Sequence, residues 1–178
     1  MSDRMAAEIW IGGKILRSLL EEFPISDLRL DWDNNCLASS AEADILAARD
    51  EDGLLHFADV EAAWGEFEEL EGWLREHNLP FRRRSEGKYE HMPELVEFRP
   101  DLKDKRNRDV YAITSSEGAP MVFASEVEAI TTRMAKLSAN RKRSATQRLT
   151  AWEKLLHKLI LVLPPKLPPL PRFEIVDG

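Results

Sequence analysis

Residues 54–84 read LLHFADVEAAWGEFEELEGWLREHNLPFRRR, and the change of hydrophobic period inside this stretch decides the fold. Leu54 to Ala58 is a short apolar run of strand length. From Val60 to His77 the apolar residues Val60, Ala63, Trp64, Phe67, Leu70 and Leu74 recur at helical spacing, with Glu66, Glu68, Glu69 and Glu76 mostly off that face. This predicts a long acidic amphipathic helix over 61–77. Asn78 suits the left-handed position that ends such a helix, and Leu79 to Arg84 leaves as a strand whose start Pro80 marks. The stretch is a β-α-β unit.

Upstream, Ala7 to Ile11 alternates and stops at Gly12-Gly13, after which Ile15, Leu16, Leu19, Leu20 and Phe23 step as a helix until Pro24. Residues 27–33 alternate again, Leu28, Leu30 and Trp32 against Asp27, Arg29, Asp31 and Asp33, as a half-exposed strand does. Ser39 with Glu42 forms a capping-box pattern for a helix over 40–51 that joins this second β-α-β unit to the first. Two consecutive split units predict an α+β fold with a ferredoxin-like sheet, its helices on one face.

Downstream, 94–99 reads as a further strand, and 101–109 is charged enough to be a solvated linker. Residues 110–114 and 121–124 predict a β-hairpin. Ser125 and Glu128 form another capping-box pattern, followed by Val127, Ile130, Met134 and Leu137 at helical spacing. The segment 138–144 interrupts this stripe before Leu149, Trp152, Leu156, Leu159 and Leu163 resume it out of phase, so 125–163 is one turning helix or two. Five prolines between 164 and 171 predict polyproline II or disorder. The expected organisation is an acidic α+β domain at 1–104, a linker and hairpin at 105–124, a basic amphipathic helical arm at 125–163, and a Pro-rich tail at 164–178.

Charge separates these parts. Residues 1–104 hold 12 Lys and Arg against 25 Asp and Glu, a net of −13, whereas 105–178 hold 13 against 7, a net of +6. Such a split bears on partners and association more than on fold. Cys36 is the only cysteine among 178 residues, which rules out an intramolecular disulfide and the usual zinc patterns. An acid at Glu8 precedes any apolar run of signal-peptide length, and 155–163 is too short and too polar to span a bilayer. A cytoplasmic protein without a membrane segment is expected.

No motif carries catalysis. The four histidines, His56, His77, His91 and His157, share no metal-binding spacing. A composite site of Asp31, Asp33 and His56 would suit a divalent metal if their strands paired, but an exposed strand face explains the same aspartates. Cys36 has no identifiable base beside it. Gly12-Gly13-Lys14 precedes a helical pattern without the rest of a phosphate fingerprint, leaving a backbone anion site or a plain tight turn. No catalytic residue, metal ligand or cofactor is assigned.

Two charged surfaces remain. Residues 42–76 carry 12 acids against Arg49 and Arg75. Glu61, Glu66, Glu68, Glu69 and Glu76 are the candidate contacts of a protein partner with a basic surface. Residues 133–158 carry Arg133, Lys136, Arg141, Lys142, Arg143, Arg148, Lys154 and Lys158 against Glu153, a plausible phosphate-contacting helix. The same basic residues could instead cover an acidic face of this or a neighbouring subunit, and the stripe over 149–163 could join a homo-oligomer. In the run Arg82-Arg83-Arg84, strand alternation sends Arg83 to the opposite face. Pro168 to Arg172 has the look of a proline-rich docking ligand.

EFEELE at 66–71, SEGKYE at 85–90 and PELVEFRP at 93–100 together resemble a segment of small uncharacterised bacterial and mobile-element proteins. The likeness covers about residues 60–100 and brings no function, site or cofactor with it. The expected function is therefore non-enzymatic: a binding or regulatory protein acting through its acidic surface on a protein partner, such as an inhibitor or accessory factor of a nucleic-acid-handling complex. The alternatives are nucleic-acid binding through the basic arm and, third, a small metal-dependent hydrolase.

Overall fold

A computed structural model describes residues 3–25, 28–33, 35–140 and 144–178. The chain forms two units, one of residues 1–119 with 167–178 and one of residues 120–166. In chain order the first contains β1 (Arg4–Ile11), β2 (Gly13–Leu16), α1 (Glu42–Ala47), β3 (Leu55–Ala63), α2 (Glu68–Glu76), β4 (Phe81–Ser85), β5 (Glu94–Phe98) and β6 (Asp109–Ile113). The second holds α3 (Ala124–Ala139) and α4 (Ala145–Val162), after which β7 (Phe173–Val176) completes the first.

The fold is α+β. Five antiparallel strands lie in the order β3-β1-β4-β5-β6. Ile9 pairs with Phe57 on one side and Arg83 on the other, and Ile11 with Leu55 and Phe81. Alternation along β1 turns Met5, Ala7, Ile9 and Ile11 to one face, where all are buried. Leu70 and Leu74 of α2, Ile45 of α1, Leu20 of the 3₁₀ turn at 17–22 and Phe23 just after it join that core. Phe23 also meets Trp73 edge-on at 5.3 Å.

The unit spanning 54–84 is present: β3 and β4 flank β1, and α2 connects them. Its helix, however, begins at Glu68 and not at 61. Pairing with β1 extends β3 to Ala63, and the chain then reverses through Trp64 (φ 58°) and Gly65 (φ 68°), a left-handed pair that no helix accommodates. Gly65 is required twice over, because a Cβ there would also sit 2.6 Å from Ser85 Cβ.

The second expected unit does not form. Residues 13–16 pair as β2 in parallel with β7, and only a 3₁₀ turn follows. Residues 28–33 make a loop, with a bridge from Arg29 to Cys36. The Asp31 carboxylate takes the backbone N–H of Asp33 at 2.9 Å and the Asn35 side chain at 2.7 Å. Local bonds of this kind compete with a strand ladder.

The expected hairpin is also replaced. β6 pairs with β5 and 121–124 is not a strand. The helical segment is an insertion between β6 and β7, because the chain after it returns to the first unit. Far from being a free tail, 173–176 is a strand, and Phe173 is buried with its N–H on the Gly53 carbonyl at 2.9 Å. Two helices, α3 and α4, and not one, hold the described residues of this segment. Ile130, Met134 and Leu137 of α3 are buried, and Trp152 Nε1 of α4 donates to Ser138 Oγ at 3.1 Å. Ser144 and Gln147 close a capping box that starts α4.

Candidate functional site

The strand β4 distributes its three arginines as alternation requires. Arg83 enters the buried face at 3% side-chain exposure, where its Nε lies 2.8 Å from Glu71 Oε1 and its Nη1 donates to the Gly65 carbonyl at 2.6 Å. Glu94 and Glu66 stand farther off, at 3.7 and 3.9 Å. Arg82 faces the other way and donates to Glu97 at 2.7 Å, beside the buried Arg99. Arg83 thus fastens the first turn of α2, through Glu71, to the β3–α2 reversal, through Gly65.

That fastening fixes the candidate acidic cleft. A cleft of about 290 Å³ opens between the end of β3 and the start of α2. Asp59, Glu61, Glu66, Glu68 and Glu69 line it, with Arg4 the one cation among the lining residues. Its apolar lining is Pro24, Ala63 and the half-buried Phe67, with the buried Leu28, Ala62 and Leu70. A bulge in β3 between the partners of Met5 and Ala7 gives the strand extra length at Val60 and Glu61, and bulges commonly re-aim side chains beside sites. The turn is held by Asp59, whose Oδ1 accepts from Glu61 N and Arg29 Nη1, each at 2.8 Å. Arg4 Nη1 donates to the Glu61 carbonyl at 2.9 Å.

The carboxylates fall into two kinds. Glu61, Glu66, Glu68 and Glu69 are exposed, whereas Glu71 is shielded and burial pushes its carboxyl above the ordinary value, against the lowering effect of Arg83. Acids in the first turn of α2 are favoured by the helix dipole, so part of this charge is structural. The exposed four still project negative charge around an apolar patch. Such a surface matches a lysine or arginine side chain, whose stem is apolar and whose head is cationic. Glu76, at the opposite end of α2, does not line the cleft.

No known protein family, curated protein or solved structure matches the chain. The site therefore rests on its own geometry.

The basic candidates lie elsewhere. Arg133 and Lys136 are exposed on α3, and Arg148 is half-buried near the start of α4. Arg141, Lys142 and Arg143 lie outside the described residues. The α4 stripe is not buried: Leu149 is 62% exposed and Leu156 47%, and the helix holds no buried residue. Across 120–166, nine Lys and Arg face three Asp and Glu, a net of +6.

Among the described residues no three His, Cys, Asp or Glu side chains cluster closely enough to hold a metal ion. Asp31 organises its own loop, and His56 instead stacks on Trp10 at 4.9 Å with Nε2 3.5 Å from Glu8. Gly12 and Gly13 spend their N–H groups on the Pro80, Pro171 and Arg172 carbonyls, and a Cβ on Gly12 would overlap the Pro171 carbonyl, so these glycines serve chain packing and not an anion. No helix among the described residues is long and apolar enough to cross a membrane. Arg4, Asp59 and the Arg83–Glu71 pair were not singled out in the sequence. The one available signal was alternation, which separates Arg83 from its neighbours.

Proposed function

We propose that this chain is a non-enzymatic binding or regulatory protein of the cytoplasm that docks a basic segment of a protein partner in its acidic cleft. The observation that carries the reading is the convergence of Glu61, Glu66, Glu68 and Glu69 on one apolar-based cleft, where the sequence offered only acids spread over a helix. Each exposed pair is individually weak, so affinity has to come from several carboxylates acting with the apolar patch. The partner is thus a flexible basic segment or a basic groove edge, as on an inhibitor's or accessory factor's target in a nucleic-acid-handling complex. On the same footing we read β3-α2-β4 around β1 as the ferredoxin-like half of the sheet, with β5 and β6 added at its edge.

Fluorescence anisotropy with a labelled arginine-rich peptide tests the docking. Binding should weaken with salt and fall by more than about tenfold when Glu66, Glu68 and Glu69 are changed to Lys, since each like-charge replacement turns attraction into repulsion. Equal affinity for the triple variant ends the reading. A second reading, nucleic-acid binding by α3 and α4, is favoured by the +6 on 120–166. It requires tight, salt-sensitive duplex binding that Arg133, Lys136 and Arg148 changed to Glu abolish.

A further inference from the structure

Of the three consecutive arginines of β4, two are committed to hydrogen-bonded partners, the half-exposed Arg82 to Glu97 and the buried Arg83 to Glu71 and Gly65. Arg84 is different. Its ion-pair partner Glu8 is 3.5 Å away, beyond good hydrogen-bond length, and its guanidinium donates no hydrogen bond to any described residue. It is nevertheless held in place. The turn that closes Gly118 N–H on the Ser115 carbonyl at 2.8 Å lays Gly118 (φ 81°) against the guanidinium, and a Cβ at that position would overlap Nε, Cζ and Nη2 of Arg84.

Arg84 faces a cavity of about 320 Å³ at the end of the sheet, lined also by Glu8, Trp32, Thr114, Ser115 and Ser116. This is the lower end of the size range for small-molecule sites, about 300–1,000 Å³. A guanidinium fork that is ion-paired but makes no close hydrogen bond is still the complement of a carboxylate. A plain anion is nevertheless a poor fit, because the Glu8 carboxylate, 20% exposed, shares the cavity and Glu86 lines it too. A molecule with an ammonium group next to its carboxylate satisfies both signs at once. Trp32, 44% exposed, supplies an apolar wall for whatever else that molecule carries, and the serine hydroxyls supply further donors.

We propose that this cavity binds a small zwitterion of the α-amino-acid type, its carboxylate on Arg84, its ammonium on Glu8 and its side chain against Trp32. The site is separate from the acidic cleft and does not depend on it.

Calorimetric titration of the full chain with the standard α-amino acids, one at a time, tests this. Each ligand that binds is then compared with its des-amino carboxylic acid and its decarboxylated amine, alongside the variants Arg84→Gln and Glu8→Gln. At least one amino acid should bind, and removing either charged group from it should weaken binding about tenfold or more, the worth of one charge-assisted hydrogen bond. Arg84→Gln should lose the carboxylate's contribution and Glu8→Gln the ammonium's. Because the ligand comparison uses the unaltered protein, a variant that fails to fold does not blunt the test. The proposal falls if no amino acid binds at millimolar concentration, or if the des-amino acid binds as well as its parent.

Discussion

Arg83→Met removes the buried cation that joins α2 to the β3–α2 reversal, and its cost follows from what it strands. Glu71, 12% exposed, loses its partner at 2.8 Å, and the Gly65 carbonyl loses a donor at 2.6 Å. Glu94 and Glu66 are 25% and 47% exposed and more than 3.5 Å away, so water can replace Arg83 for them. Removing one partner of a buried pair costs about 3–5 kcal/mol, a large share of the roughly 5–15 kcal/mol that stabilises a typical domain. Replacing both, as Arg83→Met with Glu71→Leu, should recover most of that loss because no buried charge is left alone. The penalty should also depend on pH. Burial already raises the Glu71 carboxyl, and without Arg83 it rises further. A carboxyl raised in the folded state destabilises above its folded value and not below its unfolded one, so the single variant should regain stability as pH falls from neutrality toward about 5. Denaturant unfolding of the four proteins of the double-mutant cycle at both pH values measures this. A loss below about 1 kcal/mol for Arg83→Met, or an equal loss with and without Glu71, refutes the reasoning.

Tyr111, although 61% exposed, donates to Glu94 at 2.5 Å, and partial desolvation of its hydroxyl together with that bond pushes the phenol up from 10.0 to about 12. In a Tyr89→Phe background, ultraviolet titration should find the remaining tyrosine ionising near 12, and Glu94→Gln should lower it. The stability this protonated phenol contributes is complete below pH 10.0 and is lost as pH rises through about 12. Phe173→Ala should cost about 3–5 kcal/mol in unfolding of the first unit, because the ring is 1% exposed in the core; an unchanged midpoint would mean that β7 is dispensable. Ser144→Ala should weaken α4 by about 1 kcal/mol, read as faster hydrogen exchange at the Gln147 amide, since it removes the capping box.

How much of this could be read from the sequence depends on how local each cause is. Met5, Ala7, Ile9 and Ile11 alternate, and β1 follows directly; Leu70 and Leu74 carry the buried face of α2 for the same reason. The start of α2 differs from expectation because Val60 and Ala63 fit a helical stripe, while β3 takes both, Ala63 by pairing with Arg4 of β1, more than 50 residues away, and Val60 in the bulge before it. Parallel pairing of Ile15 with Ile175 is still less visible, since it joins 13–16 to a segment beyond the prolines. Ser39 and Ser125 fit the capping pattern, yet helices begin at Glu42 and Ala124 without side-chain caps, whereas the capping box forms at Ser144, three residues before Gln147. The acids of the site were legible as charge, and their convergence was not. It needs the bulge at Val60 and Glu61 and the reversal at Trp64 and Gly65, neither of which leaves a period in the sequence. The α4 stripe, expected to pack on the core or on a second subunit, is largely exposed in the single chain, a reminder that apolar periodicity gives a face and not its partner.

The claim that the acidic cleft is the working surface is tested most directly by mapping backbone amide shifts while the full chain is titrated with the arginine-rich peptide, and separately with duplex DNA. With the peptide, the amides of Arg4, Glu61 and Glu66 to Leu70 should move together, those of α3 and α4 should stay in place, and DNA should move none of them at physiological ionic strength. Shifts confined to α3 and α4, produced by DNA and not by the peptide, would contradict the account.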